Sequence, residues 1–143
     1  DGSHPRCRAP AGHARPVGLR AGVHLAALPH VLGLAACEAA YRDCGDWHRE
    51  LIAYLAGNRD LVAAAVDAEK GAKMTPVEAT YLAWIDVREL GLAQPAAHFE
   101  AHGLGLSDGA DFGAPGWLRL NFGCARATLD AALGRFAAAC RAA

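Results

Sequence analysis

The residues with the clearest chemical potential lie in the run Gly116–Cys124, which reads Gly-Trp-Leu-Arg-Leu-Asn-Phe-Gly-Cys. Residue types alternate along it, so an extended strand would point the two leucines to one face and Trp117, Arg119 and Asn121 to the other. An arginine in that place can anchor a small anion, because its guanidinium is a planar fork of donors that matches a carboxylate. On spacing alone, an ordinary exposed strand arginine is the commoner outcome, so a binding role needs further support.

Helices are predicted on both sides of this strand. Alanine-rich residues 32–42 and apolar positions at helical spacing over residues 46–70 indicate a helix pair, with Asp46 as the N-cap and Gly71 as the C-terminal stop of the second helix. A short helix is expected over residues 94–102. A last helix carries Leu129, Leu133, Phe136 and Cys140 at helical spacing.

Strands are predicted between these helices. Residues 80–87 are rich in β-formers and apolar on both faces, which is typical of an internal strand. A second strand is expected over residues 104–107, and the Arg119 strand follows a turn-rich stretch. The resulting order favours an α+β fold, in which a small sheet of about three strands is covered by helices.

Composition narrows the class of protein. The chain has 143 residues, 53% of them hydrophobic, which suits one domain with a real core. A net charge of -1 argues against nucleic acid or an anionic membrane as partner, and polar residues interrupt the apolar stretch 23–40, so it is no membrane span. Five cysteines without a CxxC pair favour a reducing cytoplasm. Residues 1–20 are rich in proline and glycine, so we predict an irregular N-terminal segment that can include tag residues.

Several motifs together resemble one enzyme family. The chain is similar to the C-terminal part of fold-type I pyridoxal-phosphate enzymes, the class I and II aminotransferase superfamily, nearest to its cystathionine β-lyase-like carbon–sulfur lyases. The resemblance covers about residues 21–136 and is carried by residues 36–47, 54–60, 78–86, 106–113 and 118–124. Two positions depart from the family pattern, with Ala79 in place of a glycine and His30 in place of an asparagine.

The resemblance implies a role for this domain. Residues 21–143 would be the small, substrate-binding domain of a two-domain, dimeric enzyme. Arg119 would bind the α-carboxylate of an amino-acid substrate, while a large domain would hold pyridoxal phosphate. Whether the parent is a lyase or an aminotransferase stays open, because the groups that direct that choice lie on the large domain.

A Schiff-base lysine is the part that this sequence does not supply. The family's lysine would fall before residue 1, and the chain's two lysines, Lys70 and Lys73, lie in a charged, solvated stretch. We therefore expect the chain alone to be inactive, with no catalytic residue and no bound cofactor of its own. The alternative is a non-enzymatic remnant or interaction domain, which would self-associate through the apolar residues 23–40.

Other candidate sites have simpler interpretations. His98 and His102 are one helical turn apart, as metal ligands can be, but no third ligand is evident and we predict ordinary packing and no metal site. Three aromatic residues, Trp47, Tyr54 and Trp84, are predicted to lie in the core rather than on a binding surface.

Overall fold

A computed structural model of the protein describes residues 30–143. The predicted irregular segment 1–20 and the first part of the apolar stretch 23–40 lie outside the described residues. Helix α1, Val31–Asp43, falls almost wholly within a first unit, of which the structure describes residues 30–42. His30 begins this helix, because its Nδ1 accepts a hydrogen bond from the backbone N–H of Gly33 at 3.2 Å. The histidine ring thus accepts a hydrogen bond from a first-turn N–H group, as the side chain of an asparagine N-cap would do.

The second unit, residues 43–143, contains the remaining helices and all the described strands. Its helices are α2 (Gly45–Asp67), α3 (Pro95–Ala101) and α4 (Arg126–Arg141). Its strands are β1 (Lys73–Met74), β2 (Leu82–Asp86), β3 (Ser107–Asp108) and β4 (Trp117–Asn121). Short 3-10 turns follow β2 at Arg88–Leu90 and β3 at Gly109–Phe112. None of the described helices is long and apolar enough to cross a membrane.

The strands form one antiparallel sheet in the order β1-β2-β4-β3. Trp84 of β2 lies directly opposite Arg119 of β4, and Ser107 of β3 pairs with Arg119 from the other side. The predicted α+β class is confirmed, with four strands where about three were expected. The added strand, β1, has two residues, too few for an alternating pattern to be visible in sequence.

One face of the sheet forms the hydrophobic core with the helices. Alternate residues of the two central strands are buried on this face, namely Ala83, Ile85, Leu118 and Leu120. Helix α2 adds Val62 and Val66 to the same cluster. Phe99 of α3 stacks on Phe136 of α4 with ring centroids 5.2 Å apart. Such aromatic pairs add to the stabilisation from burial, so α3 and α4 are joined tightly.

The predicted limits of the second helix and of one strand are wrong. Helix α2 begins at Gly45, so Asp46 lies inside its first turn and pairs with Arg49 instead of capping the helix. The helix ends at Asp67, and Gly71 belongs to the turn that leads into β1, with φ of 87°. A Cβ at this glycine would lie 2.7 Å from the Leu90 side chain. The strand expected over residues 104–107 begins only at its last residue, since Ser107–Asp108 is the paired segment.

Two of the three aromatics predicted in the core are exposed. Trp47 is 63% exposed and Tyr54 is 40% exposed, because the buried stripe of α2 begins only at Asn58. The apolar periodicity of the sequence extends to the N-terminal half of α2, but the core covers only the C-terminal half of this helix. The prediction is wrong for Trp84 as well, because this half-buried ring lies on the sheet face opposite the core, where Arg119 also lies.

Candidate functional site

Arg119 occupies the centre of β4 and points away from the core. Its neighbours Leu118 and Leu120 are buried on the core side, so the alternation of the strand places the half-buried Arg119 on the opposite face, as the sequence predicts. Strands on both sides restrict its surroundings, with Trp84 across one edge and Ser107 across the other.

The guanidinium has two partners in the described part of the chain. Its Nη2 donates a hydrogen bond to the Ser107 hydroxyl oxygen at 3.1 Å. Its Cζ lies 4.5 Å from the ring centroid of Phe112, which is a cation–π distance. No ion pair between described residues involves Arg119. The Phe112 ring and the Ser107 hydroxyl are neutral, so they contact the guanidinium without cancelling its charge. A half-buried cation in this state attracts an anion.

Aromatic rings form much of this sheet face. Trp84 stacks on Trp117, with centroids 6.0 Å apart and an interplanar angle of 19°. Phe112 meets Trp84 edge-on at 5.9 Å and 82°. Three rings therefore lie on the same sheet face as Arg119, so the surroundings of the guanidinium are largely aromatic.

The other arginine of this face is already neutralised. Arg88 donates from Nε and Nη2 to the two carboxylate oxygens of Asp86, at 2.9 and 2.7 Å. These hydrogen bonds hold the pKa of the Asp86 carboxyl below its usual range. Arg88 also stacks on Trp117, with its Cζ 5.5 Å from the ring centroid. Arg119, by contrast, has no acidic partner among the described residues. A carboxylate ligand on this face would therefore bind to Arg119 and not to Arg88.

Helix α2 fixes the segment that follows the Arg119 strand. Asn58 is fully buried and donates from Nδ2 to the carbonyl oxygens of Phe122, at 2.8 Å, and Cys124, at 3.0 Å. Tyr54 accepts a hydrogen bond from the backbone N–H of Arg126 at 2.7 Å, at the start of α4. The sequence analysis assigned no role to Asn58. An amide in the middle of an apolar stripe is the signal that could have identified it, because a buried amide needs partners.

The lysines of the chain do not fit a Schiff base. Lys73 is 70% exposed on β1 and pairs with Glu89. That hydrogen bond raises the pKa of Lys73, which keeps its amine protonated and therefore poorly nucleophilic. Lys70 is also exposed and lies in the turn before β1. Neither amine has the desolvated setting that cofactor attachment requires.

The histidine pair is engaged in the packing of helix ends. His98 Nε2 lies 2.9 Å from the carbonyl oxygen of Ala139, and His102 Nδ1 lies 2.9 Å from the carbonyl oxygen of His98. The two rings are 4.7 Å apart. Within residues 30–143, no group of three histidine, cysteine or acidic side chains is arranged to hold a metal ion.

Comparisons with known proteins agree on one family. The family profile described as "Aminotransferase class I and II" matches residues 23–136. Cystathionine beta-lyase of Corynebacterium glutamicum is 36% identical over 110 residues, which cover 75% of this chain and 30% of that protein. The crystal structure of OvoB superposes with a TM-score of 0.76 at 43% identity, over 79% of this chain and 30% of that one.

A further solved structure is cystalysin from Treponema denticola, which contains a pyridoxal 5'-phosphate cofactor. It matches with a TM-score of 0.71 at 28% identity, over 78% of this chain and 30% of that one. The chain therefore spans about 30% of the length of the relatives that it matches.

Proposed function

Because the chain belongs to the class I and II aminotransferase family, we propose that it is the C-terminal, substrate-binding part of a pyridoxal-phosphate-dependent enzyme that acts on amino acids. In this proposal Arg119 anchors the α-carboxylate of the substrate. The large domain that binds the cofactor is the partner of this chain, and the assembled enzyme is a cytoplasmic homodimer. Since the curated relatives include cystathionine β-lyases, we propose a carbon–sulfur β-lyase first and an aminotransferase second.

One observation carries the proposal. The Arg119 guanidinium is held between a neutral hydroxyl and an aromatic ring, and it has no acidic partner among residues 30–143. Ser107 takes one of the two Nη2 hydrogens, and Nε and Nη1 donate to none of these residues. The second Nη2 hydrogen therefore remains, together with Nε–H or Nη1–H, as a pair of parallel donors for a carboxylate. The neighbouring Arg88 lacks this freedom because Asp86 occupies its fork.

The chemistry itself is assigned to the large domain. Neither Lys70 nor Lys73 fits a Schiff base, so no step of the reaction is placed on residues of this chain. The contribution of this domain is to bind and orient the substrate and to exclude water from it. We accordingly propose that the chain is inactive by itself.

A chimera tests this function. The chain would be fused, at residue 23, behind the large domain of the Corynebacterium glutamicum relative, and lyase activity would be measured with L-cystathionine. We expect cofactor-dependent turnover by the chimera and none by the chain alone with added pyridoxal phosphate. Arg119→Ala should lower kcat/KM of the chimera. Its matched control is Asp60→Asn, which changes an exposed side chain on α2. A folded, cofactor-loaded chimera in which Arg119→Ala leaves kcat/KM unchanged would contradict the carboxylate anchor.

A second candidate function rests on the exposed apolar side chains of α1. Val31, Leu32 and Leu34 are 79%, 76% and 55% exposed. Such a cluster favours association, so a non-enzymatic domain that binds a second copy of itself is the alternative. Residues 23–29 of the predicted association surface lie outside the described residues. Light scattering would find a dimer that Leu32→Glu dissociates and that Asp60→Asn leaves intact. A monomer at high concentration would exclude this function.

A further inference from the structure

We propose that Phe112 and Ser107 are positioning residues for Arg119, and that ring and hydroxyl together hold the guanidinium in the orientation that receives a carboxylate. This inference rests on the proposed role of Arg119 as the carboxylate anchor. It adds two residues from outside the Arg119 strand to the site, and it assigns them an effect on the arginine and not on the substrate.

The position of Phe112 is unusual for an apolar side chain. It is 53% exposed, yet its ring lies against the Arg119 guanidinium at 4.5 Å and meets Trp84 edge-on. Burial therefore does not explain where this ring lies. A ring face against one side of a planar cation restricts its rotation and leaves the N–H groups in the plane free to donate.

Ser107 fixes the same guanidinium from the neighbouring strand. It pairs in register with Arg119, and its hydroxyl accepts from Nη2 at 3.1 Å. A serine takes one donor of the fork without adding charge, whereas an acidic residue at this position would neutralise the arginine. The contact thus orients the side chain and preserves its attraction for an anion.

The turn that carries Phe112 is fixed by its backbone. The Asp108 side chain accepts from the backbone N–H of Ala110 at 2.9 Å, which closes the start of the turn. A Cβ at Gly109 would lie 2.6 Å from the carbonyl oxygen of Trp117, so only glycine lets the turn pack this closely on β4. Gly113 ends the turn with φ of 78°. These contacts fix the backbone that carries Phe112 beside the arginine.

An oriented guanidinium binds more tightly because less side-chain freedom is lost on binding. Nuclear magnetic resonance of the nitrogen-15-labelled chain can measure this on the Arg119 Nε–H signal, which Arg119→Lys identifies by its disappearance. The order parameter of that bond would be compared in the wild type, Phe112→Leu, Phe112→Tyr and Ser107→Ala. Sodium acetate is the probe for carboxylate binding.

We expect Phe112→Leu and Ser107→Ala to lower the order parameter of Arg119 and to raise the acetate Kd about two- to fivefold. Phe112→Tyr keeps the ring and should keep both wild-type values. Arg126 is the internal control, because its Cζ lies 5.1 Å from the Tyr54 ring and its own signal should not change.

The two proposals can fail separately in this experiment. Unchanged Arg119 order and unchanged acetate affinity in both Phe112→Leu and Ser107→Ala would overturn the positioning role. An Arg119 signal that loses order in Phe112→Leu, but that never responds to acetate in the wild type, would support the positioning contact and contradict the carboxylate anchor. Because Phe112 is half-exposed, Phe112→Leu should fold, and Ser107→Ala provides the same comparison independently.

Discussion

Asn58 donates a hydrogen bond from its side-chain amide to the carbonyl oxygen of Phe122 at 2.8 Å, across 64 residues of sequence. The same nitrogen reaches the carbonyl oxygen of Cys124 at 3.0 Å. Both carbonyls belong to the segment that leaves β4. A fully buried side chain on α2 therefore fixes the end of the strand that carries Arg119.

Replacing this amide should be strongly destabilising. Asn58→Ala removes the amide donor from the buried carbonyl oxygen of Phe122 and from the partly buried one of Cys124, and we expect a loss of about 2 to 4 kcal/mol in the free energy of unfolding. Asn58→Asp has nearly the same volume but no proton to donate when ionised, so it should cost at least as much. Urea unfolding measures both variants. The control Asp60→Asn, on the exposed side of α2, should stay within about 0.5 kcal/mol of the wild type.

Equal stability of Asn58→Ala and the wild type would contradict the role of these hydrogen bonds in fixing the strand end. A mild Asn58→Asp beside a severe Asn58→Ala would assign the effect to side-chain volume instead.

Tyr54 makes a second link between α2 and the segment after β4. Helix α4 begins after Ala125, which has no side-chain acceptor for the N–H groups of the first turn, and the Tyr54 hydroxyl accepts from one of these groups, the backbone N–H of Arg126. Tyr54→Phe should lower the free energy of unfolding by about 0.5 to 1.5 kcal/mol, since it removes this acceptor and keeps the ring. Thermal unfolding by circular dichroism is the measurement.

Ala125→Ser provides the matched test of the capping explanation. Its backbone, with φ of -61° and ψ of 143°, already suits an N-cap. A serine there should recover part of the stability lost in Tyr54→Phe. Tyr54→Phe with wild-type stability would contradict the role of the Tyr54 hydroxyl at the start of α4.

The sequence predicts most of the local structure of this domain. Helical periodicity marks α2 and α4, and alternation places Arg119 opposite Leu118 and Leu120. Such patterns depend on residues that are close in sequence, where the burial of one face leaves a period of 3.6 or 2. Strand β1 could not be predicted in this way, because a strand of two residues is too short to show an alternating pattern.

The partners of the candidate site could not be predicted in the same way. Ser107 and Phe112 reach Arg119 only through the pairing of β3 with β4 and through the turn between these strands. Strand register sets these contacts, and register depends on the whole sheet. The exposure of Trp47 has a similar origin, because it depends on where the core ends along α2 and not on the helix itself.

Asp86 should make the stability of the domain depend on pH. Its hydrogen bonds with Arg88 lower the pKa of the folded carboxyl, so the folded state favours the ionised form. That contribution is fully present above the unfolded pKa, about 4, and is lost as pH falls through the lower folded pKa. At neutral pH, Asp86→Asn should cost about 1 kcal/mol.

Urea unfolding of Asp86→Asn and the wild type at neutral and acid pH tests this expectation. The difference between the two proteins should shrink as the solution becomes acidic. Glu89→Gln is the control, because its ion pair with Lys73 is exposed on both sides and contributes little at any pH. A stability difference that grows in acid would contradict a lowered pKa of the folded Asp86 carboxyl.

Arg119→Lys tests the anchor in the active chimera. The ammonium keeps the charge but loses the fork, so a carboxylate held by two parallel donors would be held by one. We expect kcat/KM for the amino-acid substrate to fall by about 2 to 3 kcal/mol in transition-state free energy, with cofactor binding much less affected. The same assay on an amine that lacks the carboxylate is the control, and this substrate should be almost indifferent to the change. An equal loss for both substrates would mean that Arg119 supports the fold of β4 and not the binding of a carboxylate.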